Sequence, residues 1–175
     1  MPRLIVKEWH SLMPGDWEQE DLAVVLIELL SPPVTRSLPE AWQGQYTRER
    51  AGAWIEEPDQ EGTTLLAISI TDRKPIGLMI LFESDKDGAE PLEIRLGYLL
   101  AERAWGKGYA AEMVEGLVRW SRTQESISGV TAGVERENSS SRNVLEKNHF
   151  QLVPPSASGD PGGDTGELIY HLQVR

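Results

Sequence analysis

The sequence predicts an α/β (α+β) fold: a mixed central sheet of about six or seven strands, in which an antiparallel meander joins a parallel pair, flanked by helices. Three observations carry this. Strand-like runs separated by turn residues fill residues 63–100. From Ala110 to Val118 the apolar spacing becomes helical, and another strand-like run follows at 129–135, the pattern of a crossover to a parallel neighbour. At 175 residues, with 39% hydrophobic content and six tryptophans, the chain can bury one core, so residues 1–175 are expected to form a single domain.

The elements follow in order. RLIVKEW (residues 3–9) reads as a strand, and EDLAVVLIELLS as an apolar helix that stops before Pro32 and Pro33. PPVTRSLP is expected to be a connector. Trp42, Tyr46 and the segment around Trp54 suggest one or two short helices. TTLLAISI (63–70), the turn TDRKP and IGLMILF (76–82) predict an antiparallel hairpin, with Pro75 tolerated at a strand start. SDKDGAEP is a polar, acidic loop. In PLEIRLGYLL (91–100), Leu92, Ile94, Leu96, Tyr98 and Leu100 alternate with Glu93, Arg95, Gly97 and Leu99.

Ala110, Met113, Val114, Leu117 and Val118 then form one face of an amphipathic helix, opposite Glu112, Glu115 and Arg119. Asn138 stands at an N-cap position before SSSRNVLEK, whose Val144 and Leu145 are expected to face inward. FQLV and GELIYHLQV predict two closing strands, separated by the Pro/Gly-rich PPSASGDPGGDTG.

Composition excludes several functions. Without cysteine there is no disulfide, thiolate metal site or cysteine nucleophile. The three histidines, His10, His149 and His171, lack metal-ligand spacing, so no metal is expected. A formal net charge of −11 disfavours nonspecific binding to nucleic acid or anionic membranes and favours a cationic substrate. The N-terminus lacks a signal-peptide pattern and no apolar run spans a bilayer, so a cytoplasmic protein is expected.

The stretch RAWGKGYAAEM (103–113) turns tightly and opens a helix, a way to present backbone N–H groups and a positive helix end to a phosphate. It is not a Walker A loop: Ala101 and Gly108 stand where that pattern requires Gly and Ser/Thr. Gly106, Gly108 and Ala111 formally satisfy the dinucleotide fingerprint. An alternating strand precedes them, however, and too little chain follows for a doubly wound sheet. Arg103, Gly106 and Gly108 match R-x-x-G-x-G/A between an alternating strand and an amphipathic helix.

That loop, together with SPPVTRSLP after a helix, LGYLLAERAWGKGYAAEMVEGLV and ENSSSRNVLEKNHFQLV, resembles the GNAT N-acetyltransferase superfamily, in particular its RimJ/RimL-like branch. The resemblance covers most of the chain. It implies acetyl-coenzyme A as cofactor, transfer of the acetyl group to a primary amine in a ternary complex, and a parallel strand pair splayed where the pantetheine arm lies. By resemblance, Gly106, Lys107, Gly108, Tyr109 and Ala110 receive the pyrophosphate, supplemented by Arg103. Backbone groups of Tyr98, Leu99 and Leu100 bind the arm, as does Asn138, which also has a plain capping role.

A free α-amine has a pKa near about 8 and a lysine near about 10.4, so an α-amine needs less help from a base. Glu93, facing the same way as Leu99, is the candidate base. The family often places its acid where this chain has Arg95, which leaves a residue of the acidic loop or bulk water as alternatives. Ser141 matches the family serine that protonates the leaving thiolate, and an N–H near Leu99 is expected to meet the developing oxyanion. His149 replaces the usual glycine, and Asn148 is expected to supply the left-handed helix end. The 154–166 loop is expected to border the amine site. The acceptor stays open among protein N-terminal α-amines, amino acids, polyamines and antibiotic amines, as do a longer acyl donor and a homodimer. A sensor that binds acyl-coenzyme A without turnover is the alternative function.

Overall fold

A computed structural model describes residues 2–13, 15–17, 21–84, 92–154 and 166–175. Their contacts divide the chain into two compact units. Unit 1 is Met1–Phe82 with Gly97–Met113, and unit 2 is Glu83–Leu96 with Val114–Arg175. The strands are β1 (Leu4–Glu8), β2 (Thr63–Ser69), β3 (Pro75–Ser84), β4 (Leu92–Leu100), β5 (Ile127–Glu135), β6 (Gln151–Leu152) and β7 (Glu167–Gln173). They form a mixed seven-stranded sheet in the order β1-β2-β3-β4-β5-β7-β6.

In unit 1, β1, β2 and β3 pair antiparallel, with β2 joined to β3 by the expected tight turn. Helices α1 (Leu22–Leu29), α2 (Pro32–Thr35) and α3 (Arg48–Glu61) belong to this unit. Asp21 caps α1, its carboxylate accepting from the Ala23 N–H at 2.9 Å. The prolines that end α1 begin α2, because a proline in the first helical turn loses no intrahelical hydrogen bond. The expected connector thus contains a helical turn, and α3, at 14 residues, is longer than the short helices expected. Apolar residues of α1 and α3 form a core with Leu66, Ile68, Leu78, Ile80, Leu99 and Ala101. Leu99 therefore breaks the expected in-and-out pattern of β4: its face is covered in this unit, so it is buried like Leu100.

In unit 2, the first half of β4 runs parallel to β5 from Leu92↔Ile127 to Arg95↔Thr131, and β5 pairs antiparallel with β7. Helix α4 (Tyr109–Ser121) begins in unit 1 and continues in unit 2, and α5 (Ser139–Lys147) lies in unit 2. Ile94, Val130, Ala132, Val134, Tyr170 and Leu172 occupy one face of the strands and are buried. On that face the Tyr170 hydroxyl donates to Glu146 of α5 at 2.8 Å. Leu145 is fully buried and Val144 partly so, as their spacing predicts. The acidic loop at 85–91 and most of the 154–166 loop lie outside the described residues.

Candidate functional site

Unit 1 carries Tyr98, Leu99, Leu100, Arg103, Gly106, Lys107, Gly108, Tyr109 and Ala110. After β4 the chain makes a single 3₁₀ turn over Glu102–Ala104 and reaches α4 through Trp105–Gly108. Gly106 and Gly108 have φ of 70° and 78°, the left-handed region that side chains other than glycine avoid. A Cβ on Gly106 would meet nothing within 4 Å, and one on Gly108 only Arg3 Nη2 at 3.6 Å. Handedness, not crowding, demands both glycines. The loop delivers the chain into the N-terminus of a 13-residue helix, whose first-turn N–H groups lack intrahelical acceptors and form its positive end.

Arg3, outside every sequence motif, braces this turn. Its main-chain N–H and its Nε donate to the two carboxylate oxygens of Glu112 at 2.5 and 2.7 Å. Its Nη1 donates to the Lys107 carbonyl at 2.9 Å, and its guanidinium lies over the Tyr109 ring, 4.4 Å from the centroid. Burial pushes the Glu112 carboxyl up, but the hydrogen bonds and charge of Arg3 outweigh it and hold the carboxyl below its usual value.

Two members of the expected set have other structural duties. The Arg103 guanidinium donates to the Pro75 carbonyl through Nη2 at 2.5 Å and lies 3.9 Å from the Glu28 carboxylate. It lines a pocket of about 530 Å³ with Glu28, Ser31, Ala101 and Glu102. The Leu100 carbonyl accepts from the Trp105 indole N–H at 2.9 Å, and the Ala101 N–H donates to Ile76. Gly77 lets β3 approach the end of β4, since a Cβ there would sit 2.4 Å from the Leu99 carbonyl oxygen.

Unit 2 carries Glu93, Asn138 and Ser141. Asn138 is the N-cap of α5, its side-chain oxygen accepting from the Ser141 N–H at 3.1 Å. Glu93 lies on β4 with His171 Nε2 3.6 Å from its Oε1. Two residues on, Arg95 lies 3.6 Å from Glu167. At the end of α5 the structure corrects one expectation: Asn148 keeps a negative φ of −94°, and His149 itself is left-handed, with φ of 67°. The reason is burial. The Asn148 amide donates back to the Val144 carbonyl at 3.0 Å, while the exposed His149 takes the left-handed position and its strain.

Among the described residues, no group of three His, Asp or Glu side chains is arranged to hold a metal ion, and no helix is long and apolar enough to cross a membrane.

A family model described as Acetyltransferase (GNAT) domain matches residues 15–151. A curated relative, an uncharacterized N-acetyltransferase YjdG of Bacillus subtilis (strain 168), is 32% identical over 81 residues, 46% of this chain and 46% of that protein. The match thus spans about half the length of that relative. Among solved structures, AAC(6')-Ib in complex with ribostamycin and coenzyme A superposes with a TM-score of 0.73 at 17% identity, over 99% of this chain and 94% of that one. RimL, a ribosomal L7/L12 alpha-N-protein acetyltransferase in complex with coenzyme A, gives 0.71 at 16% identity, over 99% and 95%. At these identities the structures establish a shared fold.

Proposed function

The chain belongs to the GNAT acetyltransferase family, and from that premise we propose that it moves an acetyl group from acetyl-coenzyme A to a primary amine. The acceptor is a protein N-terminal α-amine or a small-molecule amine, as in the RimJ/RimL-like branch, and residues 1–175 act as one catalytic domain. The carrying observation is the turn in which two left-handed glycines open α4. This turn suits the coenzyme's pyrophosphate: neither glycine presents a side chain, and each charge-assisted hydrogen bond to phosphate is worth roughly 1.5–3 kcal/mol. A chain of net charge −11 can hold so anionic a cofactor because the positive field is local.

Acetyl-coenzyme A supplies an activated thioester. In this reading the amides of Gly106 to Ala110 hold the pyrophosphate, with Lys107 beside them. Arg103 fixes the path of the turn through its bond to Pro75, and Arg3 does so through its bond to the Lys107 carbonyl. The main chain of Tyr98 and Leu99 and the side chain of Asn138 bind the pantetheine arm. Glu93 accepts the proton of the incoming ammonium, and Ser141 donates one to the departing thiolate.

The test is thiol release from acetyl-coenzyme A across free amino acids, polyamines, aminoglycosides and peptides of varied N-terminus. Release with one class establishes the enzyme and names its acceptor. A second reading, a sensor that binds acyl-coenzyme A without turnover, rests on Arg95, which stands where the family resemblance leads one to expect an acid and lies 3.6 Å from Glu167. Tight coenzyme binding with no release from any amine selects it.

A further inference from the structure

The face of the unit 2 strands opposite the buried one carries a charge pattern that local sequence does not announce. β7 residues reach across β5 to β4 at two places. His171 is registered opposite Thr131, but its ring leans along the strand and lies over Gly129, where a Cβ would be 2.7 Å from Nε2. There it comes within 3.6 Å of Glu93. Glu167 likewise lies over Gly133, where a Cβ would be 2.1 Å from its Oε1, and meets Arg95. Glycines at 129 and 133 are the physical condition for both crossings. The His171 Nε2 atom is buried and has no hydrogen-bond partner among the described residues. A buried ring nitrogen that makes no hydrogen bond is costly and calls for an explanation.

We propose that His171 is a positioning residue for Glu93 and the second station of its proton path, an inference that rests on the acetyltransferase reading. An imidazole is a stronger base than a carboxylate and so the better final acceptor of a proton at neutral pH. The N–H bond of the acceptor ammonium breaks, its electron pair stays on nitrogen to attack, and the proton goes to the Glu93 carboxylate. Glu93 passes it to the Nε2 lone pair, which regenerates the carboxylate, and the imidazolium later yields the proton to water.

The charged or titratable groups on this face, among the described residues of unit 2, are Glu93 and Arg95 on β4, Glu135 on β5, and Glu167 and His171 on β7; β6 presents Gln151 opposite His171. Glu167 draws the Arg95 guanidinium, so Glu93 keeps His171 as its partner.

The test compares wild type, His171→Gln, Gly129→Ala and Glu93→Gln, using the acceptor found by thiol release. His171→Gln is expected to lower kcat about tenfold to a hundredfold, to leave the KM for acetyl-coenzyme A unchanged, and to remove the fall in rate that accompanies imidazole protonation. Gly129→Ala retains the imidazole but displaces it and is expected to behave like His171→Gln. Independently of turnover, the His171 imidazole ¹⁵N resonances, assigned by their loss in His171→Gln, should move in Glu93→Gln. A wild type that turns over while His171→Gln keeps its kcat and pH profile, or resonances unmoved by Glu93→Gln, overturns the relay alone. A wild type that releases no thiol with any amine overturns the acetyltransferase reading as well, whatever the resonances do.

Discussion

Gly108 is the position where backbone geometry and proposed cofactor binding can be separated by experiment. With φ of 78°, an alanine there pays about 1–2 kcal/mol for left-handed backbone, of which about 0.4–1 is recovered from a less flexible unfolded chain. Space adds nothing, because the nearest atom to the new methyl is Arg3 Nη2 at 3.6 Å. Gly108→Ala should therefore destabilise by about 0.5–1.5 kcal/mol, which in a chain of this length lowers Tm by about 1–6 °C. If the turn relaxes and loses one amide contact to the pyrophosphate, coenzyme A affinity falls about tenfold to a hundredfold. Gly108→Glu adds a negative charge at the proposed phosphate site and should bind no coenzyme A while unfolding cooperatively. Gly116→Ala is the control: an exposed glycine inside α4 with nothing within 4 Å of its would-be Cβ, it should gain up to about 1 kcal/mol. Calorimetric unfolding and coenzyme A titration read both quantities. If Gly108→Ala stabilises as Gly116→Ala does, the left-handed turn is wrong; if Gly108→Glu binds normally, the cofactor site lies elsewhere.

Outcomes are expected for five further variants. His149→Gly removes a left-handed strain at an exposed residue and should stabilise by about 0.5–1 kcal/mol in urea unfolding, whereas Asn148→Gly loses a buried amide and its bond to Val144 and should destabilise. Because the Glu112 carboxyl is held below its ordinary value of 4.5, its contribution is present above that value and lost as pH falls through the lowered one. Urea midpoints at about pH 6 and about pH 3 should thus differ less for Glu112→Gln than for wild type. Gly77→Ala puts a Cβ 2.4 Å from the Leu99 carbonyl oxygen, backbone against backbone, and should cost about 2 kcal/mol or more. At Gly133 the three atoms nearest the new Cβ all belong to the movable end of Glu167, so Gly133→Ala should cost under about 1 kcal/mol by the same measurement.

Most of the fold is readable along the chain because its signals are local. Alternation over residues 63–100, the helical spacing from Ala110 to Val118, and Asn138 before α5 each act over a few residues. The parallel pairing of β4 with β5 follows from the helix that separates them. The proline-initiated α2 was also local, since Pro32 and Pro33 end one helix and start another by the same missing N–H, but the stop signal is the easier one to see.

The sequence by itself determined the order of the strands, the places of α1, α4 and α5, the family, and the turn whose glycines α4 requires, since each depends on neighbours in the chain. Only the tertiary structure decided who meets across it. Arg3 reaches Glu112, 109 residues away, through a strand with no motif to flag it. His171 reaches Glu93 because strand register sets a glycine between them. The left-handed residue after α5 is His149 and not Asn148 because burial, a property of the packed chain, claims the asparagine side chain. Propensity and periodicity act on residues a few positions apart; register, burial and charge pairing exist only once distant segments are packed together.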